Sequence, residues 1–217
     1  MNFSGKKVLI TAGPTWVAID EVRVISNIAT GKTGILLAEL FNRRKAKVTL
    51  LLGPGYIKET PKNKDIKVIP FKFYDELQGL TEKILTSNKF DIIIHSAAVS
   101  DYRPKVTHGA KIKSNLKELN IKLIPTAKII DSIKRKAPSA FLVGFKFEVS
   151  VSKEDLIKKA LKLIKQNNLD LAVANTIENH GYKAYILNKL NCYGPFENKT
   201  KLANMLIRKI GEHLCLN

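Results

Sequence analysis

The run at residues 90–104, FDIIIHSAAVSDYRP, constrains this chain more than any other. Ile92, Ile93 and Ile94 put β-branched apolar side chains on both faces of a strand. That is the pattern of an interior strand in a parallel sheet covered on both sides. The character then changes within one residue. His95, Ser96, Ala97, Ala98, Val99 and Ser100 are mostly small, and Asp101, Tyr102 and Arg103 are polar or hydrogen-bonding. Open α/β sheets bind ligands at the carboxyl ends of their strands. Small side chains there let a flat ligand lie against the backbone, and a strand can end without the charges of Asp101 and Arg103. The stretch reads as a nucleotide-facing strand end.

The rest of the chain supplies a sheet around it. Lys7–Ala12 is an apolar run closed by Gly13-Pro14, a first core strand. Residues 15–34 are mixed in character and lead into Ile35, Leu36, Leu37, Ala38, Leu40 and Phe41, an apolar stripe at helical spacing. Lys47–Leu52 ends at Gly53-Pro54-Gly55 and reads as the second strand. A strand–helix–strand unit implies a parallel pair. Residues 55–66 read as surface loop, 67–71 as the third strand and Tyr74–Ser87 as a helix; the isoleucine strand comes fourth. Residues 106–116, poor in apolar side chains, read as a mobile loop, and 119–124 as a half-buried strand stopped by Pro125. Thr126 is placed to cap a helix over 127–137, ended by Pro138. Residues 140–147 form a strand in which Gly144 marks a close approach. Ser152 and Asp155 have capping-box spacing. Leu156, Ile157, Ala160, Leu161 and Ile164 form the apolar face of the helix behind them. A strand over 169–174, a small ribbon between His180 and Lys199 and a helix over 201–214 close the chain. The pattern predicts one α/β domain over residues 1–217. Its sheet is Rossmann-like, doubly wound and mostly parallel, with helices on both faces and a small C-terminal β-ribbon.

Composition narrows the classes. With 37 basic and 19 acidic residues the formal charge is +18. Such a balance suits nucleic acid, a membrane surface or anionic small molecules. The lysines are scattered along a Lys- and Asn-rich chain with no arginine-rich tail, so phosphate-bearing small molecules are preferred to nucleic acid. No apolar run approaches the ~18 residues of a membrane span. The chain enters a strand at once, so no secretory signal is expected. Cys192 and Cys215 lack motif spacing, as in a reducing cytoplasm. His95, His108, His180 and His213 show no ligand spacing, so no metal site is identified.

Several motifs carry more than one meaning. After the first strand stands AGPTW, so the dinucleotide fingerprint G-x-G-x-x-G is absent. TGKTG at residues 30–34 fails as a P-loop, because Ser26 stands where its first glycine belongs. Gly31, Lys32 and Gly34 still open a helix whose free N–H groups can hold phosphate. The same glycines serve equally for tight helix–sheet packing. Asn27 can donate to an oxygen that gains charge; capping or turn formation is the commoner use of such a residue. Lys111 and Lys113 flank Ile112, and in an extended segment they face one way as a possible phosphate clamp. In a Lys-rich chain that spacing is more often a solvated surface. Asp101 can bond a base or ribose, or close an Asx turn.

Taken in order, ITAGPT (10–15), Ile19-Asp20 with Val22-Arg23, ISN (25–27) before TGKTG, VTLLLGP (48–54), AAVSDYRP (97–104), KIK (111–113), VGFKFE (143–148) and AVAN (172–175) span nearly the whole chain. Together they resemble phosphopantothenoylcysteine synthetase, a ligase of coenzyme A biosynthesis. The resemblance implies that 4′-phosphopantothenate and L-cysteine are joined through an acyl-cytidylate, with CTP as substrate and Mg²⁺ as cofactor. It implies Asn27 and Lys111 as catalytic residues. It implies nucleotide contacts at Ala97, Ala98, Asp101, Lys111, Ala127, Lys128, Ile129, Ile130 and Phe145, with Lys162 and Lys165 as candidates, and substrate contacts at Asn27, Gly31, Lys32, Gly34 and Lys113. It also implies a cytoplasmic homodimer whose flap, about residues 102–118, reaches across subunits. The family is often fused behind a flavin-dependent decarboxylase. A chain opening on the synthetase's first strand is expected either to stand alone, with a functional link to a separate phosphopantothenoylcysteine decarboxylase, or to be the synthetase domain cut from such a fusion. The sequence departs from the family at Ser114 (KIKS for KIKK), at TAKII (126–130), at Lys146 and Phe147 (FKFE for FAAE) and at Thr176 (ANT for AND), and the helix lysines align only with a shift. These departures bear on nucleotide choice. The alternatives are the same ligation with ATP, or a nucleotide- or flavin-binding oxidoreductase, against which the missing glycine fingerprint speaks.

Overall fold

A computed structural model describes residues 1–55, 59–178 and 181–215. His180 and three residues of the loop expected over 55–66 lie outside those ranges. β1 (Lys7–Ala12) leads into a hairpin of β2 (Trp16–Ala18) and β3 (Val24–Ser26), then α1 (Lys32–Arg43). β4 (Lys47–Leu52), β5 (Lys67–Pro70), α2 (Tyr74–Ser87) and β6 (Ile92–His95) follow. β7 (Tyr102–Pro104) and β8 (Leu123–Pro125) pair antiparallel at the base of a long loop. The chain ends with α3 (Ile129–Lys136), β9 (Phe141–Val149), α4 (Lys153–Asn167), β10 (Leu171–Glu178), β11 (Gly181–Leu187), β12 (Cys192–Phe196) and α5 (Lys199–His213).

The main sheet has the order β12-β11-β10-β9-β6-β1-β4-β5. The six strands from β10 to β5 are parallel, and β11 and β12 extend the edge antiparallel. Numbered among themselves, the parallel strands run 3-2-1-4-5-6 from β5 to β10, the doubly wound order, which reverses between β1 and β6. α1 and α5 cover one face through Leu37, Phe41, Leu202 and Leu206. α2, α3 and α4 cover the other through Leu77, Ile133, Leu156 and Ile164. Ile92 and Ile94 enter the first layer and Ile93 the second, all fully buried. Each contributes about 1.5–3 kcal/mol by leaving water, which is why that strand tolerates no polar position before His95.

Several elements differ from expectation. The β2–β3 hairpin was not visible, because its three-residue strands are too short to show a period. The strand expected over 119–124 shrinks to β8. It pairs only with β7, outside the main sheet, and Leu119 and Leu123 stay exposed, so the alternation has no core to bury against. Thr126 does not cap α3. Lys128 takes that position without a side-chain cap, while the Thr126 hydroxyl donates to Ser100 O (2.6 Å). In α4, Ser152 does cap, accepting from Asp155 N (3.1 Å), but Leu161 turns away from the core. The ribbon is continuous with the sheet edge, and β10 runs on to Glu178 because it is paired on both sides. A methyl at Gly144 would meet Leu169 Cδ1 at 2.7 Å and Ile130 Cδ1 at 3.0 Å, so the close approach there is by side chains. No described helix is long and apolar enough to cross a membrane.

Candidate active site

The reversal between β1 and β6 opens a crevice at their carboxyl ends. Pairing continues past both strands. Ser96 N donates to Thr11 O (3.0 Å), Ala98 N to Gly13 O (2.9 Å) and Thr15 N to Ala98 O (3.2 Å). Gly13 makes this possible. Its φ is +82°, and a side chain there would lie 2.9 Å from Gly53 O. Two buried hydroxyls lock the far end: Ser100 N donates to Thr15 Oγ1 (2.9 Å), and Ser100 Oγ to Thr15 O (3.2 Å). Behind the wall, Ala97 N donates to Thr11 Oγ1 (3.3 Å), which lies 2.9 Å from His95 Nδ1. Both bonds are satisfied when the Thr11 hydroxyl donates to a neutral imidazole. Burial lowers the His95 pKa to about 4, so the ring stays neutral.

α1 begins directly over this crevice. Gly31 supplies its N-cap at φ 74° without a capping side chain, Thr30 Oγ1 accepts only a long bond from Lys32 N (3.5 Å), and no acid sits in the first turn. Gly34 presses against Ala12 Cβ and Ser96 Oγ, and a side chain at 34 would drive the helix off the wall. The packing use of Gly34 is therefore plain, and it leaves the uncapped N–H groups beside the strand ends. The Lys32 ammonium is 3.0 Å from Glu59.

Asn27 follows β3. Its Nδ2 donates to both Ala98 O and Val99 O (3.1 Å each), so its amide braces the wall. Ser26 Oγ donates to Thr15 O (3.1 Å) beside it. The other end of the same hairpin holds the long loop. Asp20 Oδ2 accepts from Ile112 N (3.0 Å) and from Arg23 Nη1 (2.6 Å), and Arg23 Nη1 also donates to Ile112 O (3.2 Å). Lys111 and Lys113 are exposed on either side of Ile112. Asp101 is exposed at the start of β7, and its carbonyl accepts from Thr126 N (2.9 Å).

The segment 127–130 closes the opposite wall. Tyr74 Oη donates to Ala127 O (2.6 Å), and burial pushes the Tyr74 phenol up. Ile129 and Ile130 are core side chains of α3, so only their backbone is available to a ligand. Lys128 is exposed. Phe145 is half-buried on the α1 side of β9. Lys146 and Lys159 both pair with Glu148 (2.9 and 2.8 Å). Hydrogen bonds from Lys159 and then Lys146 hold the Glu148 carboxyl below its ordinary value. Lys162 and Lys165 are exposed on α4. This helix runs back from the end of β9 to the start of β10, so Lys165, in its last turn, lies toward the opposite end of the sheet. The structure does not bring it to the strand ends within one chain.

Sequence reasoning gave no role to Asp20, Arg23, Thr11, Tyr74 or the Thr15–Ser100 pair. An Asx-turn spacing at Asp20 was readable, but its reach to Ile112 was not. A cavity among Phe141, Leu171, Lys209 and His213 lies at the amino ends of the strands, away from every motif. A cleft between Trp16, Tyr74, Arg103 and Ile124 adjoins the loop base. Among the described residues no group of three or more His, Cys, Asp or Glu side chains could hold a metal ion.

Residues 3–214 match the family model described as DNA/pantothenate metabolism flavoprotein C-terminal domain. The coenzyme A biosynthesis bifunctional protein CoaBC of Thermococcus kodakarensis is 38% identical over 213 residues, covering 98% of this chain and 51% of that protein. The chain thus spans about half the length of that curated relative. The DNA/pantothenate metabolism flavoprotein from Streptococcus pneumoniae superposes with a TM-score of 0.85 at 27% identity, covering 96% of this chain and 100% of that one. The C-terminal domain of a CoaBC protein gives 0.78 at 26% identity, with coverage of 97% and 96%.

Proposed function

Because the chain belongs to the DNA/pantothenate metabolism flavoprotein C-terminal domain family, we propose that it is a phosphopantothenate–cysteine ligase of coenzyme A biosynthesis that uses CTP. The observation that carries this reading is one hairpin holding two motifs. Its end at Asn27 braces the small-residue wall at Ala98 and Val99, and its turn at Asp20 and Arg23 holds the loop between Lys111 and Lys113. The CoaBC name of the relatives supports the same chemistry.

In this reading a carboxylate oxygen of 4′-phosphopantothenate bonds to the α-phosphorus of CTP and pyrophosphate leaves. The amine of L-cysteine then bonds to the acyl carbon, CMP leaves, and the amine proton passes to solvent. Charge builds on phosphoryl and then carbonyl oxygens, where fixed cations and N–H donors act most strongly. Lys111 supplies the cation at the reacting phosphate and Lys113 supports the substrate. The start of α1 at Gly31, Lys32 and Gly34 takes an anionic substrate group. Ala97, Ala98 and Asp101 face the base and ribose, while backbone at Ala127–Ile130 and the Phe145 ring border the nucleotide. Lys162 remains a candidate for the triphosphate, while Lys165, in the last turn of α4, reaches a nucleotide only from another subunit. Asn27 shapes the wall, and it reaches the acyl-nucleotide by releasing one of its two carbonyls. With no carboxylate cluster among the described residues, Mg²⁺ fits as an ion carried on the triphosphate oxygens, and no step is routed through protein-held metal.

We assign the homodimer to an apolar patch on the strand ends. Phe147, Val149 and Ile177 are 51%, 56% and 49% exposed, and the β9–β10 register puts them on one face. Two free exposed thiols, Cys192 and Cys215, suit a cytoplasmic setting. The bifunctional relatives support a link to a phosphopantothenoylcysteine decarboxylase. No nucleic-acid or membrane role is proposed.

The test is a ligation assay on the purified chain. CMP should appear only with phosphopantothenate, cysteine, CTP and Mg²⁺ together. No product with either CTP or ATP refutes the reading, and faster turnover with ATP moves the nucleotide assignment alone. Lys111→Ala should lose about 10²-fold or more in kcat with an unchanged unfolding midpoint; near-wild-type turnover removes Lys111 from the mechanism.

A further inference from the structure

We propose that Asp20 and Arg23 are positioning residues of the ligation, forming a latch that grips the backbone of Ile112 and so fixes where Lys111 and Lys113 stand. The inference rests on the reading of residues 111–113 as the reacting flap.

The Asp20 side chain has no exposure, and its carboxylate receives four donors. Oδ1 takes Val22 N (2.9 Å) and Arg23 N (2.8 Å), which an aspartate opening a tight turn does anyway. Oδ2 takes the Arg23 guanidinium (2.6 Å) and Ile112 N (3.0 Å). The same guanidinium nitrogen donates to Ile112 O (3.2 Å), across 89 residues of chain. Both backbone polar groups of one residue are therefore satisfied by an ion pair whose carboxylate is buried and whose guanidinium is partly exposed. A second tie, His108 N to Ile19 O (3.0 Å), joins the same turn and the same loop.

Oδ1 builds the turn, and a turn alone needs no more. Oδ2 accepts one bond from a loop that has no regular secondary structure between β7 and β8, and the guanidinium it holds gives that loop a second. Releasing that loop would leave a buried carboxylate short of a donor, which is unfavourable. Charge-assisted bonds to backbone are among the stronger ones, so the closed arrangement is favoured. Burial acts to raise the Asp20 pKa, but hydrogen bonds from Ile112, Val22 and Arg23 outweigh it and lower the value to about 2. The latch is then charged throughout the neutral range. Lys111 and Lys113 are each one residue from the gripped backbone, so their ammonium groups keep free rotamers on a fixed base.

Two substitutions separate the latch from the turn. Asp20→Asn keeps an acceptor for Val22 and Arg23 N–H, but turns an amide N–H₂ toward the guanidinium and Ile112 N–H. Arg23→Lys keeps a positive charge beside Asp20 but ends in a differently placed, freely rotating ammonium, so the rigid guanidinium nitrogen that serves both Asp20 Oδ2 and Ile112 O is lost. Amide exchange of segment 105–118 is followed by mass spectrometry on the unliganded chain, beside steady-state ligation and thermal unfolding. In both variants exchange across 105–118 should rise about tenfold, with β1 and β6 amides unchanged. Ligation kcat should fall toward 10²-fold, as about 1 Å of misplacement can cost, while KM moves less. Unchanged exchange in 105–118 in a folded variant overturns the latch. Faster exchange with wild-type kcat overturns its positioning role. Should Asp20→Asn not fold, Arg23→Lys, at a partly exposed residue, decides the question. A wild-type chain inactive with every nucleotide refutes the ligase reading alone, because the exchange arm needs no substrate.

Discussion

His95 stands one residue before the small-residue wall, buried and neutral, with its Nδ1 tied to the Thr11 hydroxyl. Its pKa is lowered from 6.5 to about 4 by burial. Between those values the unfolded chain binds a proton that the native chain refuses. Stability should therefore fall as pH drops from about 6.5 toward 4, by about 3 kcal/mol for this group. Urea midpoints at pH 7 and pH 5 check it: wild type should lose more on acidification than His95→Gln, and equal losses would show that His95 does not titrate differentially. This residue also marks how far single positions could be read. The change from isoleucine to small residues located the wall, because it is local in the chain. That His95 turns inward to Thr11 follows from the β1–β6 register, a relation between strands that no local pattern contains. Lys146 is similar. In sequence it is only a departure from the family's pattern, and the structure pairs it and Lys159 together on Glu148.

Elements were most readable where they face the core over several turns. β1, β4 and α2 fall on their expected bounds, because burial against a large neighbour imposes the period. α4 shows the local contribution. Ser152 caps it by accepting from Asp155 N, and Ser152→Ala should cost about 1 kcal/mol, read as a lower urea midpoint with an unchanged slope. An unaltered midpoint would mean that tertiary packing alone sets that terminus. The β2–β3 and β7–β8 ribbons were missed or overextended for the opposite reason. Each has three-residue strands outside the main sheet, so little burial stands behind their pattern. These weak elements nevertheless carry Asn27, Asp20, Arg23 and the lysine loop.

At the scale of the molecule, the sheet leaves an apolar patch at Phe147, Val149 and Ile177. In the homodimer proposed through this patch, Phe147→Glu should shift sedimentation from dimer to monomer, and a wild-type chain that sediments as a monomer refutes that assignment. A variant that stays dimeric would place the subunit contact elsewhere. The doubly wound class, the parallel core, the small-residue strand end at 97–101 and the irregular loop that carries Lys111 and Lys113 were all readable from the chain. They depend on hydrophobic period and on residue types close together in sequence. The order 3-2-1-4-5-6, the inward turn of His95, the placement of Lys165 toward the far end and the grip of Asp20 and Arg23 on Ile112 were decided only in three dimensions. Each is a contact or register between segments far apart in the chain, chosen by which buried polar groups and side-chain volumes can be satisfied together.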